Sequence, residues 1–320
     1  MHMSVLDRRA FLASCGAAAV LKGVLKAQPA SKLTIDAYSR HLQWLRSADE
    51  VAEATAEMGY QGLDITVRPF PGHVQPERVE QDLPPFVGTI RKHGLKVNCL
   101  ALTNILDAAA PHLEQCLKTA SELGIQNYWG LGTYRFDARK TIPEQLEAIK
   151  PRLARVAALN AKYRMTGLYH TYSGNAFGAG MWDILGVLRD FDPAQIGLHY
   201  DVGHMTNAGG NGTWIPALRA AARYVRGVSV KDAILERNPD GTMRVRYTPL
   251  GEGSVQLAPF AAILKEIQFS GPIEIQAEYP NGGAEDAHEK ITLPRTQVLG
   301  AMKKDLEVLK KALVGAGFAI

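Results

Sequence analysis

Two hydrophobic patterns alternate along the chain. Short apolar or β-branched runs bounded by Gly, Pro or Asn fall at residues 33–38, 62–67, 95–100, 127–131, 167–170, 196–201, 227–230 and 272–278. Runs of that length with those boundaries predict strands. Between them, apolar residues recur at helical spacing over 48–58, 83–93, 110–123, 143–165, 182–189, 214–222 and 258–267, and a last such stretch covers 295–313. Gly59, Gly94 and Gly124 stand just past three of these stretches. A glycine there fits the left-handed residue that commonly stops a helix. Strand–helix alternation predicts parallel strands joined by crossover helices. Eight repeats in one stretch predict an α/β fold of the single-domain (β/α)8 TIM-barrel type. No G-x-G-x-x-G turn follows the first strand, so a dinucleotide-binding fold lacks its phosphate cradle.

Residues 1–30 stand outside this repeat. Asp7-Arg8-Arg9-Ala10-Phe11-Leu12, followed by small and apolar residues over 13–21, has the shape of a twin-arginine export signal. An ordinary amphipathic helix is the alternative. The expected division is a signal over 1–30 and a barrel over 31–320, in a periplasmic or otherwise exported protein. No run of 18 apolar residues exists, so no stable membrane insertion is expected after export. The signal also changes the charge picture. The net charge is +4, but four of the 36 basic residues and one of the 32 acidic ones lie within 1–27. The rest of the chain is close to neutral and has no basic stripe, which argues against nucleic acid as a partner. Cys15, Cys99 and Cys116 are too few and too scattered for a disulfide framework or a structural zinc site.

A barrel of this type collects its chemistry at the C-terminal ends of its strands. Those positions are rich in acids and histidines. Asp64, Arg68 and His73 go with the second strand, His170 with the fifth, and His199, Asp201 and His204 with the sixth. Lys231 and Asp232 follow the seventh, and Glu274, Gln276 and Glu278 share one face of the eighth. Polar groups inside a barrel need hydrogen bonds or a ligand. Carboxylates and imidazoles suit Mn, Co, Zn or Mg. Such an ion polarises a carbonyl, while a carboxylate or histidine beside it moves the neighbouring proton. The same residues also suit a purely hydrogen-bonded set of strand ends.

Asp201-Val-Gly-His204, Val-Lys231-Asp232 and Pro249-Leu-Gly-Glu252-Gly resemble the xylose-isomerase-like TIM-barrel superfamily of sugar phosphate isomerases and epimerases. Gly59-Tyr-Gln-Gly-Leu-Asp64 and Glu278-Tyr279 fit the same pattern, and the resemblance covers nearly all of the chain after residue 32. It implies one divalent metal ion, Mn, Co, Zn or Mg, held here by His170, Asp201 and Glu278. His170 stands where a Glu is usual, and Ser229 stands where a ligand His is usual. The site is then completed by His199 or water, or it is lost. The resemblance further implies Glu278 as the base that exchanges the substrate proton and His170 as its partner acid. Lys231 either stabilises an enolate oxygen or pairs with Asp232. His204, Arg68, His73, Asp64 and Glu252 are the implied substrate contacts; the plainer readings are a capping or supporting role for His204, an Arg68–Asp64 pair, and a Glu252 bonded only to its own turn. Trp44, Trp129, Tyr172 and Tyr279 serve either as sugar platforms or as packing.

The implied activity is a metal-dependent isomerase or epimerase acting on a small-molecule carbohydrate through enolisation, in a group where homo-oligomers are common. One alternative is a lyase or dehydratase acting on a keto-sugar, keto-glycoside or cyclitol, which shares the first proton removal. Another is a non-catalytic carbohydrate-binding barrel, which Ser229 favours. The nuclease branch of the superfamily needs a denser cluster of ligands than this sequence offers.

Overall fold

The apolar runs become strands whose residues are buried on both faces. The computed structural model describes residues 32–320, and the expected export signal lies outside the described residues. The first half of the chain runs β1 (Ile35–Tyr38), α1 (Ala48–Met58), β2 (Gly62–Thr66), α2 (Val79–Lys92), β3 (Cys99–Ile105), α3 (Leu113–Glu122), β4 (Asn127–Leu131) and α4 (Ile142–Tyr163). Then follow β5 (Thr166–His170), α5 (Trp182–Leu188), β6 (Ile196–Asp201), α6 (Val202–Gly209), α7 (Asn211–Ala220) and β7 (Val225–Val230). The chain ends with β8 (Asp232–Arg237), β9 (Met243–Thr248), α8 (Leu257–Glu266), β10 (Ile273–Ile275) and α9 (Arg295–Gly315).

Eight strands close into a barrel in the order β1-β10-β7-β6-β5-β4-β3-β2, and every pairing in it is parallel. β1, β2, β6 and β10 are buried at every residue, as a barrel wall covered by helices requires. Local signals set the helix ends. Ser47 and Glu50 form a capping box at the start of α1, and Thr141 and Glu144 form another at α4. Gly59 ends α1 with φ +88°, the left-handed stop expected from sequence. Among the described residues no helix is long and apolar enough to cross a membrane.

The structure departs from the sequence reading in several places: the third strand runs over Cys99–Ile105 and not 95–100, and a short helix, α6, follows β6 directly. α2 starts at Val79, ahead of Pro84 and Pro85, instead of at 83. The last strand pairs only over Ile273–Ile275, and Gln276 joins β7 through one further bond, its N–H donating to the Val230 carbonyl at 3.0 Å. The segment between β7 and α8 contains an antiparallel hairpin, β8 with β9, outside the barrel. The hairpin has a sequence signature, alternating charges on either side of Asn238-Pro-Asp240-Gly241, with Gly241 at φ +87° in the turn.

Candidate active site

The mouth of the barrel is assembled from strand ends. β5 ends on His170, β6 on Asp201, and Lys231 follows β7 directly. The stretch after β10 brings Gln276 and Glu278. Asp201 has two tasks. Its Oδ1 accepts the His204 backbone N–H at 2.8 Å and so caps α6, turning the chain sharply from strand to helix. Its buried Oδ2 faces Lys231 Nζ at 3.0 Å and His170 Nε2 at 3.5 Å. Gly203 lies in that turn because Lys231 passes against it. A Cβ there would come within 2.6 Å of Lys231 Cγ and 2.8 Å of its carbonyl oxygen. The Asp-Val-Gly-His run thus encodes a cap, a gap for the lysine and an imidazole beside it.

Lys231 is the centre of the arrangement and is 2% exposed. Its Nζ lies 3.0 Å from Asp201 Oδ2, 3.2 Å from Glu278 Oε2, 2.8 Å from Gln276 Oε1 and 2.9 Å from His204 Nε2. Burial alone would pull the ammonium's pKa down, but Asp201 and Glu278 push it above its ordinary value. Burial would raise Asp201 and Glu278, and Lys231 reverses this, so both carboxyls fall below their usual range. Burial, then Lys231, lowers His204 to about 3, so its ring is neutral. Its Nε2 then accepts from Lys231, while Nδ1 faces Ser173 Oγ at 3.1 Å. His170 and His199 meet through their Nδ1 atoms at 2.9 Å, under the face of Trp129. Burial, then His170, holds His199 well below its ordinary value.

His170, Lys231, Gln276, His204 and Glu278 line a cavity of about 220 Å³ together with Tyr38, Arg40, Arg68, Trp129 and Tyr172. Arg68 donates from Nε to the Pro71 carbonyl and packs over the Tyr38 ring; it forms no ion pair with Asp64. Trp129 stacks on the two histidines, and Tyr172 meets His170 and His204 edge-on or tilted.

Other residues expected to touch the substrate do not line this cavity. Asp64 sits below the mouth, where Trp129 Nε1 donates to its Oδ2 at 2.8 Å. Burial, then Glu274, raises its pKa well above the carboxylate range. His73 is a packing residue, bonded to Gln43 and to the Leu45 carbonyl and lowered to about 4 by burial. Glu252 is exposed on a loop that Asp232 holds by accepting the N–H groups of Gly251, Gly253 and Val255. That work occupies Asp232, so Lys231 turns to Asp201 and Glu278 instead. Trp44 and Tyr279 bond elsewhere, to the His41 carbonyl and to Asp305. Sequence reading missed Tyr38, Arg40 and Tyr247. The first two follow from applying the strand-end rule to β1. Tyr247 comes from the unforeseen hairpin, and its ring centroid lies 5.6 Å from Lys231 Nζ.

The donor set for a metal differs from the expected one. Among the described residues His170, Asp201 and His204, with one ligand atom each, lie within 4.8 Å of one another. Glu278 is not the third vertex; it faces Lys231. Two imidazoles and a carboxylate are consistent with a divalent metal. The space is not, while the lysine stands there. Asp201 Oδ2 and His204 Nε2 are 3.9 Å apart, and Lys231 Nζ is within about 3 Å of both. An ion bonded to both at ~2.1 Å would then lie within about 3 Å of the ammonium. Repulsion between +1 and +2 charges at that distance is on the order of 10 kcal/mol at an effective dielectric of about 20. The residues as arranged do not accept a divalent ion beside Lys231.

Comparison with known proteins agrees with this architecture. The family described as "Xylose isomerase-like TIM barrel" matches residues 52–311. No curated protein matches the chain in sequence. Among solved structures, an IOLI protein with a binding zinc atom superposes with TM-score 0.68 at 15% identity, over 88% of this chain and 99% of that one. D-psicose 3-epimerase with D-tagatose, from Clostridium cellulolyticum H10, gives 0.64 at 14% identity over 88% and 99%. The 3-keto-D-glucoside 4-epimerase YcjR from E. coli gives 0.62 at 14% over 88% and 100%. At these identities the likeness is one of fold.

Proposed function

The chain belongs to the xylose isomerase-like TIM-barrel family, and from there we propose that it is a sugar isomerase or epimerase that moves a proton next to a carbonyl. One observation carries the reading. A half-buried carboxylate, Glu278, stands 3.2 Å from a buried cation at the mouth of the barrel. Enolisation needs that pair, a base for the C–H proton and a positive charge for the oxygen that becomes negative. The site is small, polar and backed by aromatic rings, which suits a carbohydrate. The epimerases of psicose and of a 3-keto-glucoside among the neighbours agree with this choice of substrate class.

In this reading Glu278 takes the proton from the carbon beside the carbonyl and gives it back. His170, at the end of β5, and His204, in the first turn of α6, also line the cavity. The positive charge has two possible sources. A divalent ion (Mn, Co, Zn or Mg) held by His170, Asp201 and His204 would polarise the carbonyl once Lys231 had withdrawn. The Lys231 ammonium is the other source and already stands there.

The test is proton exchange in heavy water with a panel of free ketoses and 3-keto-glycosides, followed by NMR. The wild type should incorporate deuterium beside the carbonyl, and Glu278→Gln should lower the rate by at least ~100-fold. Undiminished exchange in that variant removes Glu278 from its role. Release of an aglycone or of water in the same assay identifies the lyase reading, and binding without exchange identifies the non-catalytic one.

A further inference from the structure

We infer that the Lys231 ammonium is the resident cation of this site and performs the carbonyl-polarising task that a divalent ion would otherwise perform. The inference rests on the enolisation reading for the reaction it assists, but not for the occupancy of the site.

Three observations lead to it. The first is the cage. Four acceptors lie 2.8–3.2 Å from Nζ: two carboxylates, an amide oxygen and an imidazole nitrogen. Gln276 Oε1 and His204 Nε2 are hydrogen-bonded to it, and the two carboxylates are held as ion pairs, Asp201 Oδ2 having no hydrogen-bond partner. The distances are those of hydrogen bonds and longer than the ~2.0–2.2 Å of metal coordination.

The second is how the neighbouring side chains are committed. Gln276 turns its carbonyl oxygen to Lys231, while its amide nitrogen donates to Glu274 at 2.6 Å and to Ser229 at 3.2 Å. Ser229 donates in turn to Glu274 at 2.6 Å. Gln276 and Ser229 are thus spent on holding the lysine and on Glu274 Oε1 below it, Glu274 Oε2 having no hydrogen-bond partner. Neither β7 nor the stretch after β10 offers a free imidazole or carboxylate to complete a coordination shell, apart from Glu278, which already faces Nζ. The backbone agrees: Gly203 leaves open the space that the lysine stem fills.

The third is charge. Asp201 and Glu278 carry two negative charges against one on Lys231, and Glu278, with its side chain 23% exposed, is the outer member of the trio. Its contact is the longest of the four. A substrate carbonyl oxygen can replace it at Nζ and leave the carboxylate free to act as a base. A divalent ion added to the lysine would make the trio net positive and hold that carboxylate.

The step balances without another reactant. The C–H bond beside the carbonyl breaks and its proton goes to the Glu278 carboxylate. The C–H electron pair forms the C=C bond of the enediol, and the carbonyl π pair moves to oxygen, where the Lys231 N–H groups stabilise it. For isomerisation Glu278 returns the C–H proton to the former carbonyl carbon while the neighbouring hydroxyl passes its proton to the enolate oxygen; for epimerisation the carbon takes a proton on its other face from His170, solvent restores that proton to His170, and Glu278 releases its own to solvent.

The experiment compares the full chain with Lys231→Met, which keeps the stem and removes the charge. Metal content of the purified protein is measured first, then Co2+ is titrated by its visible absorption and Zn2+ by thermal melting. The expected results are far less than one equivalent of metal in the wild type and exchange that persists in excess chelator. Lys231→Met should lose exchange, bind cobalt at least ~10-fold more tightly than the wild type, and gain melting temperature with zinc where the wild type gains none. The inference is overturned if the wild type holds about one equivalent of metal whose removal abolishes exchange or lowers its melting temperature. Cobalt binding no tighter in Lys231→Met also overturns it. If the variant does not fold, the wild-type metal content and chelator result decide alone. If no sugar exchanges at all, the enolisation reading fails while the titrations still report on the cation.

Discussion

Asp36 shows what one buried carboxyl does to the molecule. It lies at the start of the barrel wall, 1% exposed, with Asn98 Nδ2 donating to both oxygens at 2.9 Å. Burial raises its pKa from 3.8 to about 7, Asn98 opposing and Glu274 adding. The neutral acid is the form the fold prefers. Its contribution is complete below about pH 3.8 and is lost as pH rises through about 7. A shift of about three pKa units sets an upper bound near ~4 kcal/mol. Asp36→Asn cannot ionise, so its stability relative to wild type should grow from pH 4 to pH 8 in urea unfolding. A difference that is flat with pH removes Asp36 as the cause. Residue by residue, the sequence made types and strands visible but not depth. His170, Asp201, His204, Lys231 and Glu278 meet because all stand at strand ends. Asp64 stands inside β2, paired in register with Tyr38, and so lies inside the barrel. His73 and Glu252 carry the right chemistry, but their neighbours, Gln43 in one case and the loop folded around Asp232 in the other, direct them elsewhere.

At the level of elements, the junction between β6 and α6 does most to shape the site. The strand ends on its own helix cap, so Asp201 cannot move without the first turn of α6. Gly203→Ala should therefore act on Lys231 at a distance. The added methyl meets the lysine at 2.6 Å, and one of the two must shift. We expect a loss of ~1–3 kcal/mol in stability and a fall in kcat larger than any change in KM. Unchanged kcat in a folded variant would separate the junction from catalysis. The helix stops were readable in advance: Gly59, Gly94 and Gly124 all have positive φ. α6 was not, because Val202–Gly209 has no long apolar period and owes its first turn to a side chain of the preceding strand. The β8–β9 hairpin was missed for another reason. Its turn signal is strong, but its exposed, charged strands lack the apolar run by which barrel strands are recognised.

For the molecule as a whole, eight repeats predicted the closed barrel, and the strand order confirms it. Destination is a separate matter. We propose that Arg8 and Arg9 direct the chain out of the cytoplasm by the route that carries folded proteins. Replacing both with lysine should leave the protein in the cytoplasmic fraction, and unchanged export would end that proposal. The Lys231 cage bears on such a journey. Its cation is made by the ribosome in the same chain as its four partners, so the site is complete once the barrel closes. It needs no loading beforehand and no ion supply afterwards, and a chelating or metal-poor medium has nothing to remove.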